Sequence, residues 1–410
     1  MTKKQKISKR ILIVMEALLL CGVLVFSVFS IITGKNEKPT VQNNHTENFI
    51  GQGTEHKATL PGKEETMAYE EVRLTFSDAV EAKLASMTIE EKVAQLFVVS
   101  PEVLTGVENV TISGTGTRNA INQYPVGGIL YSNKNFKNEQ QIKQLTSNVQ
   151  NYSQARIGLP LFTMVGEEGG INRSPVAVVN GYEITLSPGQ LGSIGDIATL
   201  TDAVNTRMAY LKTNGFNMIL GAMGNLGDGQ SASFDDRTYG RDCDIASELM
   251  SADITATNEA GMTGVLRYFP SVNDTGEYDI YVEKELGIFR KGIEAGAKVI
   301  MVTPAVAKYL TGDAEIPCCL SKDVVAYLRA GMGFDGLLMT TSLSDTNIIN
   351  LYEAGEAAVM AVEAGMDVIF NPTDLAGDYT AVLNAVNSGR ISQDRLHNSV
   401  GRILEMKMQQ

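Results

Sequence analysis

The side chains best suited to move protons or hold a polar ligand fall into a few short stretches. Glu167 and Glu168 are adjacent carboxylates, and Asp274, Glu277 and Asp279 crowd a second segment. Asp236 precedes Arg237, whose guanidinium can hold a ligand oxygen by bidentate hydrogen bonds or brace its own loop through Asp236. Arg267 joins a cation to the ring of Tyr268, and Asn225 adds an amide. Asp345 stands four residues beyond Thr341, a hydroxyl with no base beside it and hence a poor nucleophile at neutral pH. Carboxylates in pairs supply general acid–base chemistry, worth about 10²–10⁴ in rate. Each of them reads equally as a solvated loop residue or a helix cap.

The elements that must position these groups recur along the chain. Apolar, β-rich runs occupy Val93–Val99, Gly128–Tyr131, Leu161–Val165, Asn217–Gly221, Gly264–Phe269, Val299–Val302, Gly336–Thr340 and Val368–Phe370, with helical patterns between them. The runs are continuously apolar rather than alternating, as strands buried on both faces require. This predicts an α/β protein of the (β/α)8 TIM-barrel type over residues 81–410. A doubly wound open sheet is the structural alternative, but no glycine-rich phosphate fingerprint follows the first strand. In such barrels chemistry sits on the loops after the strands' C-terminal ends.

The front of the chain differs. Lys3, Lys4, Lys6, Lys9 and Arg10 form a basic tail (1–10) before an apolar run at 11–33, broken only by Glu16. As a helix this run spans about 34 Å, enough for a hydrocarbon layer of about 30 Å. The charge asymmetry predicts a single-pass transmembrane helix at the cell membrane, N-terminus cytoplasmic and barrel extracellular. A cleaved signal peptide ending near Ser30 competes with that reading. Residues 34–80 are polar and read as a stalk.

Formal charge is −13, and setting aside the five cations and Glu16 of the anchor leaves about −17 on the rest. That balance argues against nucleic acid as a partner and leaves neutral sugars open. The three histidines, His45, His56 and His397, leave the barrel loops without one, so neither a zinc site nor any cofactor is expected. Cys243, Cys318 and Cys319 make an odd extracellular count; Cys318 and Cys319 read as buried thiols or a strained vicinal bridge.

Several motifs carry a resemblance. Met87-Thr88-Ile89-Glu90-Glu91-Lys92-Val93-Ala94-Gln95-Leu96-Phe97, Tyr124-Pro125-Val126-Gly127-Gly128-Ile129, Glu168-Gly169-Gly170, Asp236-Arg237-Thr238-Tyr239-Gly240, Phe269-Pro270, Phe334-Asp335-Gly336 and Ala364-Gly365-Met366-Asp367 follow one another in the order of the glycoside hydrolase family 3 catalytic barrel. The chain resembles that family over about residues 85–408, and its single-barrel β-N-acetylhexosaminidase branch above all, since no second sandwich domain follows. The resemblance implies a retaining mechanism, with a nucleophilic carboxylate, a histidine–aspartate proton shuttle and polar clamps on the sugar hydroxyls.

Position by position, the expected groups are replaced. Thr341 stands where the family has its nucleophile, and Tyr278 and Ile280 where it has the Asp-x-His shuttle. The sugar-binding aspartates fall at Gly166 and Asn225, the arginine after the double glycine at Ile171, and the lysine–histidine pair at Arg267-Tyr268. Only Arg237, with Asp236 beside it, survives among the polar site positions, while Glu168 matches a position usually read as structural.

The resemblance with these losses predicts a membrane-anchored pseudo-glycosidase that is inactive or very weak. It would bind a GlcNAc-containing saccharide, a peptidoglycan fragment or a protein partner through Arg237, Asp236, Asn225, Arg267, Tyr268 and Glu168. One alternative is an active β-N-acetylhexosaminidase with relocated carboxylates, Asp345 and Asp279 being the candidates. A second is a purely structural or interaction module.

Overall fold

The computed structural model describes residues 60–61, 69–276, 278–312, 315–353 and 355–409. The expected membrane span, most of the stalk and Glu277 lie outside the described residues. Among the described residues no helix is long and apolar enough to cross a membrane, and no cluster of His, Cys, Asp or Glu is arranged to hold a metal.

Eight strands close a parallel barrel in sequence order: β1 (Phe97–Val99), β2 (Gly128–Tyr131), β3 (Phe162–Val165), β4 (Met218–Met223), β5 (Thr263–Phe269), β6 (Val299–Val302), β7 (Leu337–Ser342) and β8 (Val368–Phe370). Closure runs through Phe97 against Ile369 and Val98 against Phe370. Every residue of β3, β6 and β8 is buried, which is the physical content of their unbroken apolar runs. The first run is split: Val93, Ala94 and Gln95 are helical, and only Phe97–Val99 pairs as a strand. Thr88 and Glu91 make a reciprocal capping box that starts a helix at Ile89 and carries it through Gln95.

Polar caps begin the helices that follow the strands, with Ser100, Asn138, Asp196, Asp242, Asp279, Ser321 and Asp374 each accepting from a backbone N–H of the first turn. Ahead of β2, a Cβ on Gly127 would lie 2.1 Å from the carbonyl oxygen of Gln95, so only glycine lets the chain pass there.

The N-terminal ends of the strands are locked by charge. Asp367, wholly buried ahead of β8, accepts from Arg329 and Arg395 at 2.7 Å each and from the backbone N–H of Leu338 at 3.0 Å. Burial alone would raise its pKa, but Arg402, Arg329 and Arg395 outweigh it and hold the carboxyl below its ordinary value. The helix Gln393–Met408 lies across this end and buries Lys407, whose Nζ bonds Gln95 Oε1 at 2.8 Å and sits 4.9 Å from the Phe162 ring centre.

Residues 69–77, read from sequence as part of the stalk, pack on that same helix. Asn398 bonds Leu74 N at 2.8 Å and Val72 O at 2.8 Å, and Arg73 pairs with Asp394. A helix, Asp78–Ser86, then leads into the barrel.

Candidate functional site

Past β3 the chain reads Gly166-Glu167-Glu168-Gly169-Gly170, and both terminal glycines take positive φ, 86° and 71°. A Cβ on Gly169 would meet Leu186 O at 2.4 Å, and one on Gly170 would meet Ser187 Cβ at 2.8 Å. The double glycine thus makes a turn tucked under residues 185–187 that an L side chain would block. Arg207, itself buried, donates to the Glu168 carbonyl at 2.9 Å and fixes the turn from behind.

Held this way, the Glu168 carboxylate meets two guanidinium groups. Arg237 donates Nε to Oε2 at 2.8 Å and Nη2 to Oε1 at 2.6 Å, and Arg267 donates Nη2 to the same Oε1 at 2.6 Å. Arg267 also bonds Gly221 O. Burial would push the Glu168 pKa up, but Arg267 and Arg237 together keep it below the ordinary carboxylate range. It is therefore ionised at neutral pH with both oxygens engaged, and has no proton to give. Arg237 is the more open of the two arginines, its side chain 18% exposed.

Asn225 is buried against the backbone of Tyr268, accepting from its N–H at 3.2 Å and donating to its carbonyl at 3.3 Å. Its amide is spent on shaping the β5 exit. The Tyr268 ring lies beneath Arg267, with the guanidinium carbon 5.3 Å from its centre. Asp236 does not pair with Arg237; its Oδ1 accepts from the hydroxyl of Ser187 and ties the β4 loop to the β3 loop. Three residues on, Tyr239 donates to Asp253 at 2.6 Å inside the core. The Asp-Arg-Thr-Tyr-Gly stretch is largely a brace, with Arg237 alone turned to the mouth.

Thr341 is buried near the end of β7, and its hydroxyl has no hydrogen-bond partner among the described residues. The adjoining Ser342 ties β7 to β8 through Asn371, donating to its carbonyl at 3.0 Å and accepting from its Nδ2 at 3.1 Å. Cys318 and Cys319 are free and buried, which agrees with the thiol reading, and burial pushes the Cys318 thiol up to about 12.

The carboxylates considered as relocated catalysts serve as caps. Asp345 accepts from Asn347 N at 2.9 Å and Asp279 from Val282 N at 2.9 Å. Asp274 accepts from Val306 N at 2.8 Å.

Glu167 and Glu285 are buried carboxylates held above their ordinary range. Glu167 accepts from Ser174 Oγ at 2.7 Å and Gly169 N at 3.2 Å, yet burial raises it to about 7. Glu285, which the sequence reading missed, accepts from Leu226 N at 3.1 Å through Oε1 with the Ser271 and Asn225 side chains beside it, and burial again raises it to about 7. Its signal was local. Val282, Leu286 and Phe289 define the buried face of the helix Ile280–Glu294, and Glu285 falls on that face.

A cavity of about 430 Å³ opens beside the ends of β2 and β3. Glu168 and Gly166 border it, with Asn133, Arg173, Ile171 and Val178 on its walls. Ile171 is 62% exposed.

Comparison with known proteins agrees with this geometry. The family model for the glycosyl hydrolase family 3 N terminal domain matches residues 88–406. The chain is 23% identical over 326 residues to β-hexosaminidase A of Pseudoalteromonas piscicida, covering 70% of this chain and 54% of that protein, about half its length. It is 24% identical over 315 residues to a β-hexosaminidase of Hydrogenovibrio crunogenus, covering 72% and 85%. Among solved structures, a glycoside hydrolase family 3 β-N-acetylglucosaminidase from Paenibacillus sp. superposes with a TM-score of 0.73 at 26% identity, over 79% of this chain and 62% of that one.

Proposed function

The chain belongs to glycosyl hydrolase family 3, and from that premise we propose that it is a β-hexosaminidase-like barrel that holds a ligand at its mouth without cleaving it. The observation that carries this reading is the state of the ionisable groups there. One carboxylate, Glu168, is locked between Arg237 and Arg267, while Thr341 at the family's nucleophile position has neither a carboxylate nor a base bonded to it. Double displacement at an anomeric carbon needs one carboxylate free to attack and a second group able to exchange a proton. Glu168 is suited to neither task, and the cap bonds of Asp345 and Asp279 weigh against relocation. Glu167 and Glu285 have pKa values suited to proton transfer, but both are buried side chains.

We place this barrel outside the cell, tethered by the apolar segment at 11–33, on the strength of the five cations that precede that segment. Its ligand, in this reading, is a GlcNAc-containing saccharide or a protein. Support for the sugar comes from the named activities of the relatives and from Arg237, the more exposed of the two guanidinium groups on Glu168.

Calorimetric titration of the full chain with GlcNAc oligosaccharides tests this. A saturable isotherm with the sugar recovered intact supports binding without cleavage. Sustained heat that scales with protein and yields shortened sugar contradicts it. Absence of heat removes these saccharides and leaves a protein ligand.

A further inference from the structure

Large apolar side chains exposed on this protein are concentrated on one end. Of those among the described residues, all but Val72 and Met408 lie on connections leaving the strands' C-terminal ends or on the first turns of the helices that follow. Ile112 is 72% exposed, Ile171 62%, Val178 53%, Ile280 67% and Leu351 62%. Single exposed aliphatics are ordinary on a protein surface, whereas a bias toward one face marks a contact surface. Two of these residues, Ile171 and Val178, stand on the wall of the mouth cavity with Pro175 and Ala177. That wall has the size and character to seat one bulky side chain.

The surrounding charge is unbalanced. Glu108, Asp228, Asp274, Asp279 and Glu353 are exposed on the same set of loops. Of the cations on these loops, Lys134, Arg237 and Lys308 are paired with Glu102, Glu168 and Glu315, Arg241 lies beside Asp228, and Lys137 is exposed. Arg173 on the cavity wall reaches Ser233 at 3.1 Å, which brings the β4 loop up to the cavity.

Resting on the reading of the mouth as non-cleaving, we propose that this face docks a basic polypeptide segment bearing bulky apolar side chains. One such side chain enters the Ile171–Val178 cavity, and flanking Lys or Arg side chains face the acidic loops. Apolar anchors in a pocket supply most of the affinity of such contacts, and complementary charge sets the partner's sign.

The probe is a synthetic amphipathic peptide of leucine and lysine, with a leucine–glutamate peptide of the same pattern as control. Fluorescence anisotropy follows each on the full chain in detergent. Expected is saturable binding of the lysine peptide alone, weakened by salt, and at least tenfold weaker for Ile171→Asp/Val178→Asp. The two substitutions add negative charge, so non-specific attraction of a cationic peptide would become stronger while anchored docking becomes weaker. Unchanged or tighter binding by the double variant overturns the proposal, as does absence of binding to the parent chain. Concentration-dependent self-association that the double variant disperses also overturns it, by making a second copy the occupant. Release of sugar from an aryl N-acetyl-β-glucosaminide by the same preparation would contradict the non-cleaving reading independently of the peptide result.

Discussion

Nη2 of Arg267, at the end of β5, lies 2.6 Å from Oε1 of Glu168, just beyond β3. This contact links the β3 and β5 exits and builds an ion-paired junction, two guanidinium groups on one carboxylate, with Arg237 as its third member. Removing one member of a buried ion cluster leaves the others unpaired, at a cost of about 3–5 kcal/mol. Glu168→Gln should therefore lower the urea midpoint strongly, and Arg267→Ala more than Arg237→Ala, because Arg237 is the more exposed partner. Because Glu168 has a depressed folded pKa, its contribution is present above the ordinary carboxylate range and is lost as pH falls through the folded value. Denaturation curves below pH 5 should accordingly fall less steeply in Glu168→Gln than in the parent chain.

The pKa of Lys407 is also depressed, but by burial, which disfavours its charged form, rather than by partners that favour it. Burial depresses its pKa to about 7, so between about pH 7 and 10.5 the unfolded chain holds a proton that the folded chain has released. Stability should rise with pH across that window through this group. Lys407→Met should raise the melting temperature at pH 6–7 and flatten the rise above it. A lower melting temperature at pH 6.5 would mean that the bond to Gln95 and the Phe162 ring outweigh the buried charge.

Glu285 is raised to about 7 by burial, so the folded chain binds its proton more tightly than the unfolded one. Its contribution is full below about pH 4.5 and is lost as pH rises through about 7. Glu285→Gln keeps an acceptor for Leu226 N and removes the charge. It should match the parent chain near pH 5 and exceed it in thermal stability at pH 8, as scanning calorimetry at the two pH values will read.

Asp345 caps the short helix Thr346–Ile349 and Asp279 the helix Ile280–Glu294, and a lost cap costs about 1 kcal/mol. Asp345→Ala and Asp279→Ala should each show that modest loss in chemical denaturation and leave saccharide affinity unchanged. A large loss of affinity with unchanged stability would assign either residue to the ligand.

The strands were legible because parallel strands packed on both faces leave continuous apolar runs, and seven of the eight runs coincide with strands to within a few residues. The run at Val93 misled because its apolar residues also suit a helix, and the Thr88–Glu91 box decides in favour of the helix. Individual site residues could be found by motif, but their pairings could not. Glu168 meets Arg237 and Arg267 across 69 and 99 residues of sequence, and only barrel closure brings them together. Asn225 illustrates the same limit: no signal in the sequence foretells its two bonds to the backbone of Tyr268.

Whether sugar is cut is the most direct test. The full chain should be incubated with 4-nitrophenyl N-acetyl-β-glucosaminide and with chitotriose, the products being followed by absorbance and mass spectrometry over pH 5–8. With Glu168 locked between two arginines, and on the proposal that Thr341 stands at the nucleophile position, neither substrate should yield product above a protein-free control. Product that grows in proportion to protein, and that disappears in Glu167→Gln or Glu285→Gln, would contradict a non-cleaving barrel and identify a carboxylate the reaction needs.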